Sequence, residues 1–195
     1  MSTADAQVPG ATMAGTAERE RRFADCFDRH YPRVLAYGLR RLPDRAAAED
    51  AAAEAFLIAW RRLDDAPADL LPWLLAITRN VIRNETRSAR RRTRLAERVA
   101  TDRAVTDPPR PGPVPDGGGE APAATAAVRA AFQRLSERDR EILMLTGWDG
   151  LDTTRAAAVL GCSRATFAVR LHRARTRLAQ ALSAPAVPPM PKEPR

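Results

Sequence analysis

Residues Thr153 to Leu178 read TTRAAAVLGCSRATFAVRLHRARTRL, and this stretch decides the fold. A short helix opens at Thr153 or Thr154 and is buried through Ala157 and Leu160. Gly161 makes a tight turn, and Ser163 caps a second helix whose inward stripe is Phe167, Leu171, Ala174 and Leu178. The pattern is a helix-turn-helix. Arg164, Arg170, Arg173, Arg175 and Arg177 fall on the second helix together with His172, and no Asp or Glu occurs between Asp152 and Glu193. A helix so charged repels itself unless a polyanion neutralises it, whereas a merely solvated face would mix acids with bases to gain i,i+4 pairs. DNA phosphate is the polyanion that fits. Residues near the N-terminal end of such a helix reach base edges in the major groove. Arg164, Thr166 and Arg170 are therefore the base-contact candidates, and Arg173, Arg175 and Arg177 the phosphate-contact candidates.

Upstream in the same block, Val128, Ala131, Phe132 and Leu135 form one helical stripe. Ser136 followed by Glu137 and Asp139 reads as an N-cap with acids in the first turn, and Ile142 and Leu145 are the core positions of that helix. Gly147 and Gly150 bracket a loop. The segment before this block, TDRAVTDPPRPGPVPDGGGEAPAAT, is rich in proline and glycine and has no apolar periodicity, so residues 101–125 read as a flexible linker. It separates a second block at residues 126–182 from a first at 17–100. Residues 1–16 and 183–195 read as a disordered arm and tail.

In the first block Phe23, Phe27, Tyr31 and Val34 recur at helical intervals, and Pro32 predicts a kink or break near His30. Pro43 and Asp44 mark a turn. The helix AEDAAAEAFLIAWRRL, Ala48 to Leu63, is read with Ala53, Phe56, Leu57, Trp60 and Leu63 on one side and Asp50, Glu54 and Arg61 on another. Asp69 can cap a third helix with Pro72 in its first turn and Trp73, Leu74, Ile77 and Val81 buried. That helix continues into ETRSARRRTRLAER, a second basic patch. There Arg79, Arg83 and Arg87 lead a run of further arginines that outnumber Glu85 and Glu97, and Asn80 and Asn84 sit one turn apart among them. Trp73 offers either a core side chain or a stacking face for an unpaired base.

The totals agree with a nucleic-acid partner. The chain has 195 residues, a formal net charge of +8 and only 5% aromatic residues, which favours small helical cores over a sheet sandwich. Lys192 is the only lysine; arginine enrichment follows either from phosphate and base contacts or from codon usage, so the distribution of charge carries more than the ratio. Cys26 and Cys162 form no CxxC pair, and with two histidines at unsuitable spacing they supply no zinc site. No apolar run is long enough to insert in a membrane, and no signal-peptide core is visible, so a cytoplasmic protein is expected. No P-loop, nucleophile elbow or acid–base pair accompanies the carboxylates, so neither an enzyme nor a cofactor is expected.

Both blocks, in this order, resemble a bacterial RNA polymerase sigma factor of the sigma-70 family, extracytoplasmic function (ECF) group. The resemblance covers Phe23 to Arg94 and Val128 to Leu182. AEDAAAEAFLIAWRRL is similar to region 2.2, with Asp50, Glu54, Phe56 and Trp60 matching and Ala53 standing where glutamine is usual. WLLAITRNVIRNETRSARRR resembles regions 2.3 and 2.4 through Trp73, Leu74, Arg79 and Asn80. LSERDREILML is similar to region 4.1, and GLDTTRAAAVLGCSRATFAVRLHRARTRL to region 4.2. Arg155, Ala156 and Ala168 depart from the usual Glu, Ile and Lys.

The resemblance implies an all-α protein of two small helical domains, a region 2 bundle and a region 4 helix-turn-helix. It implies that Asp50, Glu54, Trp60 and Arg61 bind the clamp helices of the largest subunit of core RNA polymerase. Trp73, Arg79, Asn80, Arg83, Asn84 and Arg87 would capture and open the −10 element of promoter DNA, and the region 4 arginines would read the −35 element. The flap of the second-largest subunit and an anti-sigma factor complete the implied partners. A stand-alone helix-turn-helix regulator and a helical interaction protein are the rival readings.

Overall fold

Gly38 and Ala48 set the packing of the first helices: a Cβ built on Gly38 would lie 3.2 Å from the Ala48 Cβ and 3.3 Å from its carbonyl oxygen. Two helices can approach this closely only where both present small residues. In the computed structural model, which describes the backbone of residues 10–99 and 123–183 and the side chains of 15–89, 91 and 125–183, these helices are α1 (Gly10–Leu39) and α2 (Arg45–Arg61), followed by a single 3-10 turn at Leu63–Asp65 and by α3 (Leu70–Val99). The three helices pack on one another. Asp44 caps α2 by accepting the Ala47 N–H at 2.8 Å. The buried side of α2 is Ala48, Ala51, Ala52, Ala55, Phe56 and Ala59. The side read as shared by Ala53, Phe56, Leu57, Trp60 and Leu63 is split: Phe56 and Leu63 are buried, whereas Ala53 is exposed and Leu57 is 57% exposed. Alanine contributes almost no contrast to an apolar period, so the pattern could not tell which alanines faced inward.

Two further expectations for α1 are corrected. The helix starts at Gly10, so residues 10–16 are helical rather than a disordered arm; residues 1–9 lie outside the described residues. Of the kink or break read near His30, the break does not occur: the helix is continuous through Pro32. Pro32 removes one helical N–H and crowds a carbonyl. Packing on both sides offsets this: Cys26, Val34 and Tyr37 are buried, and Phe27 lies 4.9 Å from Tyr31 and 4.8 Å from Phe56. Arg19 uses the early part of α1. It donates to the Trp60 carbonyl at 2.7 Å, lies 4.6 Å over the Trp60 ring and stands 3.6 Å from Asp64, so a cation closes the C-terminal end of α2.

The second set of helices is α4 (Ala123–Gln133), α5 (Glu137–Gly147), α6 (Thr153–Leu160) and α7 (Arg164–Ser183). Helix α7 is the hub, packed against α4, α5 and α6. Its inward side chains Phe167, Leu171 and Ala174 are buried, with Leu178 half-buried, as the stripe requires. Ser136 caps α5, accepting the Asp139 N–H at 3.1 Å. Helix α6 begins at Thr153, but its cap is Asp152, whose Oδ1 accepts the N–H of Thr154 at 2.8 Å and of Arg155 at 2.9 Å. Gly161 ends α6 at φ +63, a left-handed conformation that suits glycine. Ser163 Oγ then accepts the Thr166 N–H at 3.1 Å and opens α7.

Among the described residues every element is helical. The chain divides into two compact units, Met1–Gly112 and Pro113–Arg195, so the boundary falls within the proline- and glycine-rich stretch. Residues 100–122, most of the expected linker, and 184–195 of the expected tail lie outside the described residues; residues 123–125 belong to α4 and Ser183 to α7.

Candidate nucleic-acid interface

Burial of Phe167, Leu171 and Ala174 turns the opposite side of α7 outward. Ala165, Thr166, Val169, Arg170 and Arg173 line a shallow groove on that side. Arg164, Arg173 and Arg175 are exposed and Arg170 is half-buried; among the described residues none of these four has a carboxylate partner within 4 Å. Thr166 is exposed, with its hydroxyl 2.9 Å from that of Ser163. The acid nearest in sequence is Asp152. Its carboxyl is held below the usual range first by the Arg155 N–H and more weakly by Thr154 and by the charges of Arg155 and Arg164. It therefore stays ionised as a helix cap and does not reach the groove residues.

Arg177 differs from these four. Its guanidinium nitrogen lies 2.9 Å from both oxygens of Asp139, a buried carboxylate on α5. The side chain read from its place in the arginine series as a phosphate contact also makes an internal ion pair. The partner is separated by 38 residues, so no local pattern could reveal it.

On α3 the spacing resolves into a row. Trp73, Asn80, Asn84, Arg87 and Arg91 follow one another at steps of seven, four, three and four, which keeps them on one face for about 27 Å of helix. Asn80, Asn84, Arg87 and Arg91 are exposed, Trp73 is half-buried, and Arg91 donates to Ser88 at 2.9 Å. Arg83 is exposed on the flank. Arg79 is half-buried and lies off the row, about a third of a turn away from Trp73. Leu71, Leu74, Leu75, Ile77, Thr78, Val81 and Ile82 are buried on the other side.

A third surface has the opposite sign. Asp50, Ala53, Glu54, Leu57 and Arg61 are exposed at helical spacing on α2. Trp60 does not share this face; it is half-buried, its ring 5.1 Å from Phe23 and beneath Arg19. Glu85 of α3 joins the acidic side. Its carboxyl is pushed above the usual range, by burial first and then by Glu54 and Asp50. The sequence counted Glu85 only as a minority acid in the basic patch; its approach to α2 is a tertiary fact. Leu57 is not singled out as a surface residue by the sequence pattern, which groups it with Phe56 and Leu63 on one side.

Among the described residues no group of three or more His, Cys, Asp or Glu is placed to hold a metal, and no helix is long and apolar enough to cross a membrane.

The chain is similar to known proteins in sequence and fold. Residues 26–92 match the family model for Sigma-70 region 2, and residues 125–178 that for Sigma-70, region 4. The chain is 41% identical over 147 residues to a probable RNA polymerase sigma factor RfaY of Xanthomonas campestris pv. campestris; the match takes in 73% of the chain and 36% of that protein, so the chain spans about a third of this relative. It is 31% identical over 172 residues to the ECF RNA polymerase sigma factor SigL of Mycobacterium tuberculosis, covering 86% of the chain and 90% of SigL. Its fold is similar to that of the sigma factor RpoE solved with the anti-sigma factor NepR from Bartonella quintana, with TM-score 0.61 and 24% identity over 85% of this chain and 99% of that one.

Proposed function

The chain belongs to the sigma-70 family of RNA polymerase sigma factors, and from that membership we propose that it docks on core RNA polymerase and directs promoter-specific transcription initiation. The observation that carries the proposal is the pair of cationic faces on two separate compact units: Arg164, Arg170, Arg173 and Arg175 of α7 and the Trp73–Arg91 row of α3. One such face would serve any helix-turn-helix regulator; two, on separately folded units, suit a protein that engages two promoter elements at once.

Residues 126–182 take the −35 element. Arg164, Thr166 and Arg170 approach base edges in the major groove while Arg173 and Arg175 neutralise phosphates. Residues 17–100 take the −10 element. Asn80 and Asn84 offer amides to exposed base edges, Trp73 offers a ring edge, and Arg83 and Arg87 hold the backbone of the separated strand. Extracting a base from the stack costs a few kcal/mol, which these contacts offset. The stretch between α3 and α4 serves as the linker. The α2 face of Asp50, Glu54, Leu57 and Arg61 binds the clamp helices of the polymerase, and the second unit binds the flap of the second-largest subunit. The protein acts in the cytoplasm, contributes no catalytic group of its own, and an anti-sigma factor belongs among the partners to be tested by co-purification.

Reconstitution tests the proposal. Core polymerase supplemented with this protein should give run-off transcripts from promoters of its own genome that core alone does not give. A protein that shifts operator DNA without polymerase, and yields no such transcript, is a stand-alone regulator and overturns the reading.

A further inference from the structure

Val169 stands 52% exposed in the middle of the outward face of α7. Ala165 precedes it by one turn and Arg173 follows by one turn, and the three share the shallow groove with Thr166 and Arg170. An apolar β-branched side chain has no hydrogen bond to offer a base edge or a phosphate. In the DNA major groove one base feature rewards it, the C5 methyl of thymine. A protein partner is the poorer occupant, because covering Val169 would also bring Arg170 and Arg173 against it, and among the described residues neither has a carboxylate within 4 Å. DNA covers the valine and neutralises the arginines together.

Resting on the −35 role proposed above, we infer that Val169, with Ala165 beside it, is a specificity determinant that selects a thymine by its methyl group, within about two base pairs of the base or phosphate held by Arg173. The span follows from one turn of helix, about 6 Å, against a base-pair rise of about 3.4 Å. Arg170 supplies guanine-directed hydrogen bonds and Arg173 charge; Val169 supplies the discrimination that arginine cannot.

The test uses holoenzyme assembled from the full chain and core polymerase, on a promoter identified by mapping transcript start sites. Each thymine of the upstream element, on both strands, is replaced singly by deoxyuracil, which removes the methyl and leaves base pairing intact. One position should lose roughly three- to tenfold in holoenzyme binding. Val169→Ala should lose a similar factor on unmodified DNA and become indifferent to uracil at that position. Uracil tolerated at every position, an upstream element without thymine, or a Val169→Ala holoenzyme that keeps the full uracil penalty overturns the inference while promoter-dependent transcription still stands. No promoter-dependent transcript at all removes the underlying reading, and this one with it. Should the variant fold poorly, the uracil scan of the unaltered protein decides alone.

Discussion

Arg177 and Asp139 form an ion pair of unequal exposure: the Asp139 side chain is 7% exposed and that of Arg177 55%, with Nη1 at 2.9 Å from the carboxylate. Ser136 donates its hydroxyl to the same carboxylate at 2.8 Å, so the acid joins the cap of α5 to the back of α7. Because α7 also carries Arg173 and Arg175, this pair holds the helix against α5 while those two arginines remain exposed.

Loss of Arg177 should therefore act on stability. Arg177→Ala leaves a buried carboxylate with fewer partners and is expected to cost the second unit about 1–2 kcal/mol, the exposed half of the pair contributing little. Hydrogen exchange of α5–α7 amides in the full chain measures it. Arg173→Ala should leave exchange unchanged and instead lower the salt slope of holoenzyme–promoter binding by about 1. A reduced slope in the Arg177 variant, with unchanged exchange, would return Arg177 to the phosphate contacts.

The Asp152 cap makes the start of the helix-turn-helix sensitive to acid. Its carboxyl lies below its ordinary 3.8 in the folded protein, mainly through the Arg155 N–H. The stabilisation is therefore fully present above that value and is lost as pH falls through the lower folded-state value. Asp152→Asn keeps a capping oxygen without the titration, so thermal unfolding of the variant below pH 4 should fall less steeply than that of the parent. Parallel curves would refute this.

Gly161 should tolerate substitution poorly for a backbone reason alone. Nothing lies within 4 Å of a Cβ built there, yet φ is +63. Gly161→Ala is expected to cost about 1–2 kcal/mol and Gly161→Asn less, because asparagine enters the left-handed region more readily. Denaturant midpoints of the two variants give the order; an equal cost would point to a steric clash instead.

Helix α2 yields a partner test. Leu57 is 57% exposed between Asp50, Glu54 and Arg61, so Leu57→Arg should leave helix content and melting unchanged. It should weaken association with core polymerase roughly tenfold or more, as loss of an interface anchor does. Fluorescence-detected titration of core polymerase measures it; undiminished affinity would move the polymerase contact off this face.

Local chemistry explains what could be read in advance. Gly161, Ser163 and Ser136 act within three or four residues of themselves, and Phe167, Leu171 and Ala174 stand alone as large or buried marks among charged neighbours. What escaped was non-local. The face of α2 depends on Gly38 letting α1 come close, and the course of α1 through Pro32 depends on Phe56 and Tyr37 packing beside it.

The amino-acid order by itself determined two helical units, the turn at Gly161 and an acid-free arginine series on the last helix, because caps, glycine and a 3.6-residue period act over single turns. Only the tertiary structure decided which arginines remain available. Asp139, distant in the chain and buried, pairs with Arg177, and the packing of α7 on α4, α5 and α6 turns Val169 and Arg173 to the same open side. Charge pairing and burial are settled by three-dimensional proximity, and a linear pattern does not contain it.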